Sequence, residues 1–146
     1  MRDEIAAGGI VFKIEKGKLK NENAMWLICQ HSQHKGWVFP KGLVGDVKED
    51  EPLEEAALRE VVEEGGVKAK IIANLPKPVA YFYKFQGQLI KKTVYYFLME
   101  YISGDPKDHD HEMTDAKFVS TDEVKNTLSY KSDKQAFEEA LRLFHS

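Results

Sequence analysis

Between Pro52 and the pair Gly65-Gly66 the chain can form little other than a helix, because the intervening residues are mostly leucine, alanine and glutamate with no internal proline or glycine. Asp50 or Glu51 is placed to cap it, Pro52 suits the first helical position and the two glycines stop it. The spacing therefore predicts a helix over 52–64. Its last turn is electrostatically unfavourable on its own. Glu60, Glu63 and Glu64 stand at i, i+3 and i+4, within an arc of about 100° on one face. Like charges at this spacing repel, and the C-terminal end of the helix dipole disfavours each anion by roughly 0.3–1 kcal/mol. One turn earlier the same arc carries Leu53, Ala56 and Ala57, while Leu58 and Val62 lie opposite, so the helix is expected to be covered on two sides. The plain alternative is a solvated acidic face, with Arg59 paired to Glu55 and Glu63. The dipole, the lack of lysine and the apolar flank instead call for a cation on this face. Converging hard carboxylate oxygens suit Mg²⁺, with Mn²⁺ as a substitute.

Around this helix the pattern alternates between strand and helix. Strands are expected at 5–14, with Gly8-Gly9 allowing close backbone approach, and at 25–29, an apolar run buried on both faces. Residues 37–40 read as short and extended, 40–51 as a loop holding Gly42 and Gly45, and 71–73 as a strand. The segments 79–85 and 90–101 flank Gln86-Gly87 as a hairpin, and 117–119 is a further strand. Ser120-x-x-Glu123 and Ser132-x-x-Gln135 resemble capping boxes, the second opening a helix that buries Phe137, Ala140, Leu141 and Phe144. The class is α/β with a mixed sheet, and 146 residues fit one domain over 1–146.

Charge narrows the partners. A net charge of −3 argues against general binding to nucleic acid or to an anionic membrane. Only Arg2, Arg59 and Arg142 supply guanidinium groups, so a phosphate-rich ligand would be met by lysine or by metal. The single cysteine, Cys29, sits in the apolar run and reads as a buried, inert thiol. No segment is apolar enough to span a bilayer and no signal peptide is visible, so the cytoplasm is the expected compartment.

The acidic turn belongs to a longer pattern: Gly45, five residues, Glu51, seven residues, then Arg59-Glu60-Val61-Val62-Glu63-Glu64-Gly65-Gly66-Val67. This resembles the Nudix box, G-x5-E-x7-R-E-U-x-E-E-x-G-U, at every defined position. The resemblance implies a Nudix fold, a mixed sheet sandwiched between helices with the box as loop–helix–loop. It also implies roles. Glu63 and Glu64 would be the principal metal ligands, Glu60 a further ligand or the base for the attacking water, and Arg59 the residue that orients the carboxylates. An additional acid often precedes a late strand in this family, and Glu112 stands there. The family commonly places the box glycine in a Pro-Lys-Gly segment, here Pro40-Lys41-Gly42, so either Gly42 or Gly45 can be the structural equivalent.

Beyond the box, the segments Trp37-Val38-Phe39-Pro40-Lys41-Gly42, Lys92-Thr93-Val94-Tyr95-Tyr96-Phe97-Leu98-Met99 and Leu128-Ser129-Tyr130-Lys131-Ser132-Asp133-Lys134 are more loosely similar to bacterial diadenosine polyphosphate hydrolases. That likeness implies asymmetric cleavage of diadenosine tetraphosphate (Ap4A) to ATP and AMP. Lys41, Lys92 and Lys131 are then candidate phosphate contacts, against the plain reading of solvated or strand-edge lysines. Tyr81 and Tyr83 point to one face of their strand and, with Tyr130, are candidates for stacking on a purine, although core packing is the commoner fate of such rings. His109 and His111, with Asp108, Asp110 and Glu112, lack the closed ligand set of a structural zinc site. Other nucleotide-linked substrates remain open: ADP-ribose, damaged nucleoside triphosphates, diphosphoinositol polyphosphates and RNA 5′ ends. So do a non-catalytic nucleotide-binding module and the choice between monomer and homodimer.

Overall fold

The computed structural model describes residues 1–15, 24–45 and 49–146. Two long strands form its spine. β1 (Arg2–Ile14) and β7 (Gln88–Gly104) run parallel, with Arg2–Phe12 alongside Ile90–Glu100. The other pairings are antiparallel. β2 (Ala24–His31) joins the end of β1 and carries β3 (Trp37–Val38) and β8 (Met113–Ser120), while β7 carries β5 (Val67–Asn74) and β6 (Val79–Phe85). The sheet is therefore mixed, as the interleaved pattern implied.

β1 changes partner along its length. Phe12–Ile14 pair with β2, whereas Ala6–Gly8 pair with β4 (Lys41–Leu43). β4 lies inside the stretch expected to be loop; the positions 46–48 of that stretch lie outside the described residues. The short strand forms because Lys41-Gly42-Leu43 reaches the part of β1 that β2 has left, where Gly8 has no side chain in the way: a Cβ on Gly8 would lie 2.4 Å from the Pro40 carbonyl.

Alternating residues of the spine feed two cores. Ala6, Ile10 and Phe12 on β1, Val94, Tyr96 and Leu98 on β7, and Trp26 and Ile28 on β2 pack under α2 (Thr121–Thr127) and α3 (Lys131–His145). Ala7, Val11, Leu27, Phe97 and Met99 point the other way, onto Ala56, Ala57 and Val61 of α1 (Leu53–Gly65). Helices thus cover both faces, and the apolar run in β2 is buried on both. No helix among the described residues is long and apolar enough to cross a membrane.

Several boundaries differ from the sequence expectation. Pro52 is the cap of α1 and not its first residue; it makes no side-chain cap, and Asp50 and Glu51 do not cap it either. Glu51 instead turns back onto Arg59. The stop is as expected: Gly66 has φ 73° and donates its N–H to the Val62 carbonyl. Of the two residues expected on the opposite side, Val62 is 46% exposed while Leu58 is partly buried against the same core as Ala56, Ala57 and Val61. Ser120 accepts from the Glu123 N–H as a capping side chain should, whereas α3 starts one residue before Ser132, with Tyr130 at the cap and no side-chain cap bond. β5 and β8 are longer than the short apolar runs that announced them, because pairing with β7 and β2 extends them through polar residues.

Candidate active site

The guanidinium of Arg59 organises the box. Its Nε and Nη2 donate to the two carboxylate oxygens of Glu51 at 2.8 and 2.9 Å, a bidentate pair. Nη1 donates to Glu60 at 2.7 Å and to Glu63 at 3.4 Å, and Nη2 also reaches the Leu43 carbonyl at 3.3 Å. Glu51 and Glu60 are buried, and this cation is a counter-ion to both. Conversely, the Glu51 hydrogen bond, against the effect of burial and with help from Glu60, holds the guanidinium far above its ordinary pKa. Arg59 thus contacts three carboxylates at once, those of Glu51, Glu60 and Glu63.

Both candidate box glycines have work to do. Gly42 lies in β4 directly beneath Glu60; a Cβ there would stand 2.2 Å from the Glu60 carboxylate and would push it from its present place against Arg59. Gly45 has φ 91° and donates its N–H to Glu51 at 3.1 Å. Gly42 makes room for the acid, and Gly45 turns the chain so that its amide meets the Arg59–Glu51 pair.

Glu64 is, with Glu60, one of two buried acids of the acidic turn. The Lys41 backbone N–H donates to its Oε1 at 3.1 Å, and its own carbonyl accepts from the Cys29 thiol at 3.5 Å. Burial pushes the Glu64 pKa up from 4.5 to about 8; the Lys41 amide and charge pull it down, and the neighbouring carboxylates Glu60 and Glu112 push it further up. Glu63 is exposed, and its carbonyl accepts from the Asp110 N–H at 2.7 Å. That bond docks the turn at 109–112 on the end of α1 and carries Glu112 into the field of Glu64. The His109 ring stays within its own turn, on the Asp110 carbonyl, and His111 is exposed. Among the described residues no three Asp, Glu, His or Cys side chains are gathered closely enough to enclose an ion as they stand. The donors are nonetheless hard oxygens, and Glu64 is disfavoured as an anion by its burial and by Glu60 and Glu112, the arrangement a divalent cation relieves.

A pH effect follows. Between about 4.5 and about 8 native Glu64 keeps a proton that the unfolded chain has released, so stability falls as pH rises through this window. Glu64→Gln keeps an acceptor for the Lys41 amide and cannot ionise. In EDTA it is expected to melt above the parent at pH 8, with the difference shrinking towards pH 4. A difference independent of pH would show that Glu64 titrates normally.

The remaining candidates fall into two groups. Lys41, Lys92, Tyr81, Tyr83 and Tyr130 gather on the sheet face that α3 only partly covers. Lys92 stands opposite Tyr81 in β6 and Glu4 in β1, and its ammonium feels both Lys41 and Glu64. Tyr81 feels Asp133, Glu4, Tyr130 and Glu64, and burial raises its pKa above the ordinary value. Tyr130 is 42% exposed and shares a hydrogen bond with His34 Nδ1 at 3.0 Å. Tyr83 is tied by its hydroxyl to Glu4 and is a less free stacking platform than Tyr81. Lys131 belongs elsewhere. It is exposed at the start of α3 beside a surface depression shared with Lys125, Leu128 and Lys134.

Sequence reasoning missed Glu4, Asp133 and the anchoring role of Glu51. Asp133 is buried and accepts from the Tyr96 hydroxyl at 2.8 Å, pinning α3 to β7. The signal was phase: Glu4 alternates with the buried Ala6 of β1, and Asp133 precedes the buried Phe137 by four residues.

A family model described as the NUDIX domain matches residues 5–140. The chain is 31% identical over 104 residues to a putative mutator protein MutT4 of Mycobacterium tuberculosis, covering 71% of this chain and 40% of that protein. It is 31% identical over 117 residues to Nudix hydrolase 4 of Arabidopsis thaliana, covering 80% and 54%. It is 34% identical over 98 residues to an NAD-capped RNA hydrolase NudC of Photorhabdus laumondii, covering 67% and 35%. The chain thus spans between about a third and just over half of these curated relatives. In fold it is similar to a C. elegans Ap4A hydrolase binary complex, with TM-score 0.75, 23% identity and coverage of 97% of this chain and 98% of that one. With the box residues gathered around Arg59 and the match running from β1 into α3, this chain belongs to the Nudix family.

Proposed function

We propose that the protein is a divalent-metal-dependent hydrolase of nucleoside polyphosphates that cleaves Ap4A asymmetrically to ATP and AMP. The observation that carries this reading is the position of Glu64: a buried acid, flanked by Glu60 and Glu112, facing the same region as the lysines Lys41 and Lys92. Glu60, Glu63, Glu64 and Glu112 would hold Mg²⁺ or Mn²⁺, with the exposed Glu63 and Glu112 free to swing inward. The ion would neutralise phosphate oxygens and lower the pKa of bound water. Glu60 or Glu64 would accept a proton from the attacking water, and Arg59 keeps Glu60 in place for either role. Lys41 and Lys92 would meet the phosphate chain. Tyr81 and Tyr130 would hold one adenine, each stacked ring worth roughly 1–3 kcal/mol on aromatic base platforms.

A base held at a fixed distance from the carboxylates would select the anhydride that is cut. Hydrolysis of Ap4A in ¹⁸O-water is therefore expected to place the label in AMP and none in ATP, through attack on the fourth phosphorus counted from the adenosine that leaves as ATP. Run beside ADP-ribose, NAD⁺, a damaged nucleoside triphosphate, a diphosphoinositol polyphosphate and a 5′-triphosphorylated RNA, the same assay tests the choice of substrate. Label in ATP, two ADP products, or a kcat/KM more than about tenfold higher for another member of the panel would overturn the Ap4A reading; tenfold is 1.4 kcal/mol of transition-state preference.

A further inference from the structure

Glu4 is a carboxylate on a sheet face that is to receive a polyanion, a placement that by simple repulsion should weaken binding. Its contacts explain it. Glu4 and Lys92 are directly opposite in the parallel β1–β7 register, and their side chains are 13% and 20% exposed. Glu4 Oε1 stands 3.8 Å from the Lys92 ammonium and also accepts from the Tyr83 hydroxyl, while Oε2 accepts from Arg2 at 3.1 Å. The same ammonium lies over the Tyr83 ring, 5.4 Å from its centroid. Three strands thus converge on one lysine: β1 through Glu4, β7 through Lys92 itself and β6 through Tyr83.

We propose that Glu4 is a positioning residue, holding the Lys92 ammonium, with the Tyr83 ring as its second support, aimed at the phosphate chain of the substrate. A half-buried lysine beside another lysine tends to lose its proton or swing to solvent. Here burial and Lys41 disfavour the charged form, and Glu4 and Glu64 favour it. The charged and titratable groups facing Lys92 are Glu4 on β1, Lys41 on β4, Glu64 on α1, and Tyr81 and Tyr83 on β6. Of these carboxylates only Glu4 is in ion-pair contact with it. The negative charge of Glu4 is spent on Lys92, Arg2 and the Tyr83 hydroxyl, which is why it need not repel the ligand. The substrate end of this inference rests on the function proposed above; the hold of Glu4 on Lys92 does not.

Two measurements on Glu4→Gln separate them. Glutamine keeps an acceptor for the Tyr83 hydroxyl and removes the charge. Arg2→Gln serves as control, because Arg2 touches Glu4 without touching Lys92. The first measurement is the ¹³Cε titration of Lys92 in the metal-free protein with no substrate. The titration midpoint is expected to fall by about one pH unit or more in Glu4→Gln and to stay near the parent value in Arg2→Gln. The second is steady-state hydrolysis of Ap4A in Mg²⁺ from pH 6 to 10. KM in Glu4→Gln is expected to rise by about tenfold at pH 9 with kcat little changed, since phosphate binding is lost and the chemistry kept. An unmoved Lys92 midpoint overturns the positioning role whatever the substrate. A lowered midpoint with unchanged KM, or a KM that falls, overturns the link to phosphate. A parent that cleaves no nucleoside polyphosphate refutes the functional reading instead, and the Lys92 titration still decides whether Glu4 holds the ammonium.

Discussion

Glu63→Gln and Glu64→Gln are each expected to lower turnover of a nucleoside polyphosphate by at least about 10²-fold at saturating Mg²⁺, with the fold intact. The two side chains are built differently, and this separates catalysis from stability. Glu63 is exposed and makes one long bond, 3.4 Å, to Arg59. Removing its charge disturbs little in the fold and relieves repulsion at the wrong end of the helix dipole. Glu64 is buried, and its pKa near 8 means that the native protein prefers it neutral at most pH values. Glutamine satisfies that preference. Neither substitution therefore has a route to inactivity through unfolding, and both variants should melt at or above the parent in EDTA. Initial rates on Ap4A, with melting curves alongside, check both halves; turnover equal to the parent would remove these carboxylates from the reaction.

How much of this was legible beforehand depended on whether the information was local. The strong helix formers, the Gly66 stop and the acidic last turn lie within one continuous segment, so α1 and the candidate ligands could be read from spacing. The position of Pro52 could not, because Glu51, the natural cap, is drawn away by a guanidinium eight residues later. β4 was invisible because three residues with a central glycine carry no period; they become a strand only because β1 offers them an edge. Lys131 was grouped with Lys41 and Lys92 by its charge and by the likeness of its segment to diadenosine polyphosphate hydrolases, yet the helix it opens turns it toward Lys125 and Lys134. Glu4 was overlooked for the complementary reason. Its partners Lys92 and Tyr83 are some eighty to ninety positions away and reach it only through the β1–β7 pairing and the β6–β7 hairpin.

Replacing Arg59 should produce the largest loss of stability. The guanidinium is the counter-ion of Glu51, whose side chain is 5% exposed, and of Glu60, at 6%. Removing one partner of a buried, hydrogen-bonded pair costs about 3–5 kcal/mol, because the surviving carboxylate stays in the interior without its cation. For a domain of this size that is a fall of roughly 10 °C in Tm. Arg59→Met preserves much of the volume and removes the charge, so it isolates the electrostatic cost. Arg59→Met with Glu51→Leu should recover a large part of the loss, since an apolar pair can replace a buried ion pair at little cost. A solvated surface pair would contribute at most about 1 kcal/mol. A Tm within about 3 °C of the parent for Arg59→Met would therefore mean that Glu51 and Glu60 are better hydrated than their burial indicates.

The proposed hydrolysis depends on the carboxylates of α1 receiving a divalent ion, and metal-induced stabilisation tests this without assuming a substrate. A ligand that binds only the native state raises stability by mass action, about 2.7 kcal/mol at a hundredfold excess over Kd. Thermal melts of the parent and of the Glu63→Gln/Glu64→Gln double variant, in EDTA and across a Mg²⁺ titration, should diverge. The parent Tm should climb by several degrees as Mg²⁺ saturates the site, and the double variant should stay near its EDTA value. Equal Mg²⁺-induced shifts in the two proteins would place the ion outside the acidic turn, with His109 and His111 the next residues to substitute, and would contradict the account.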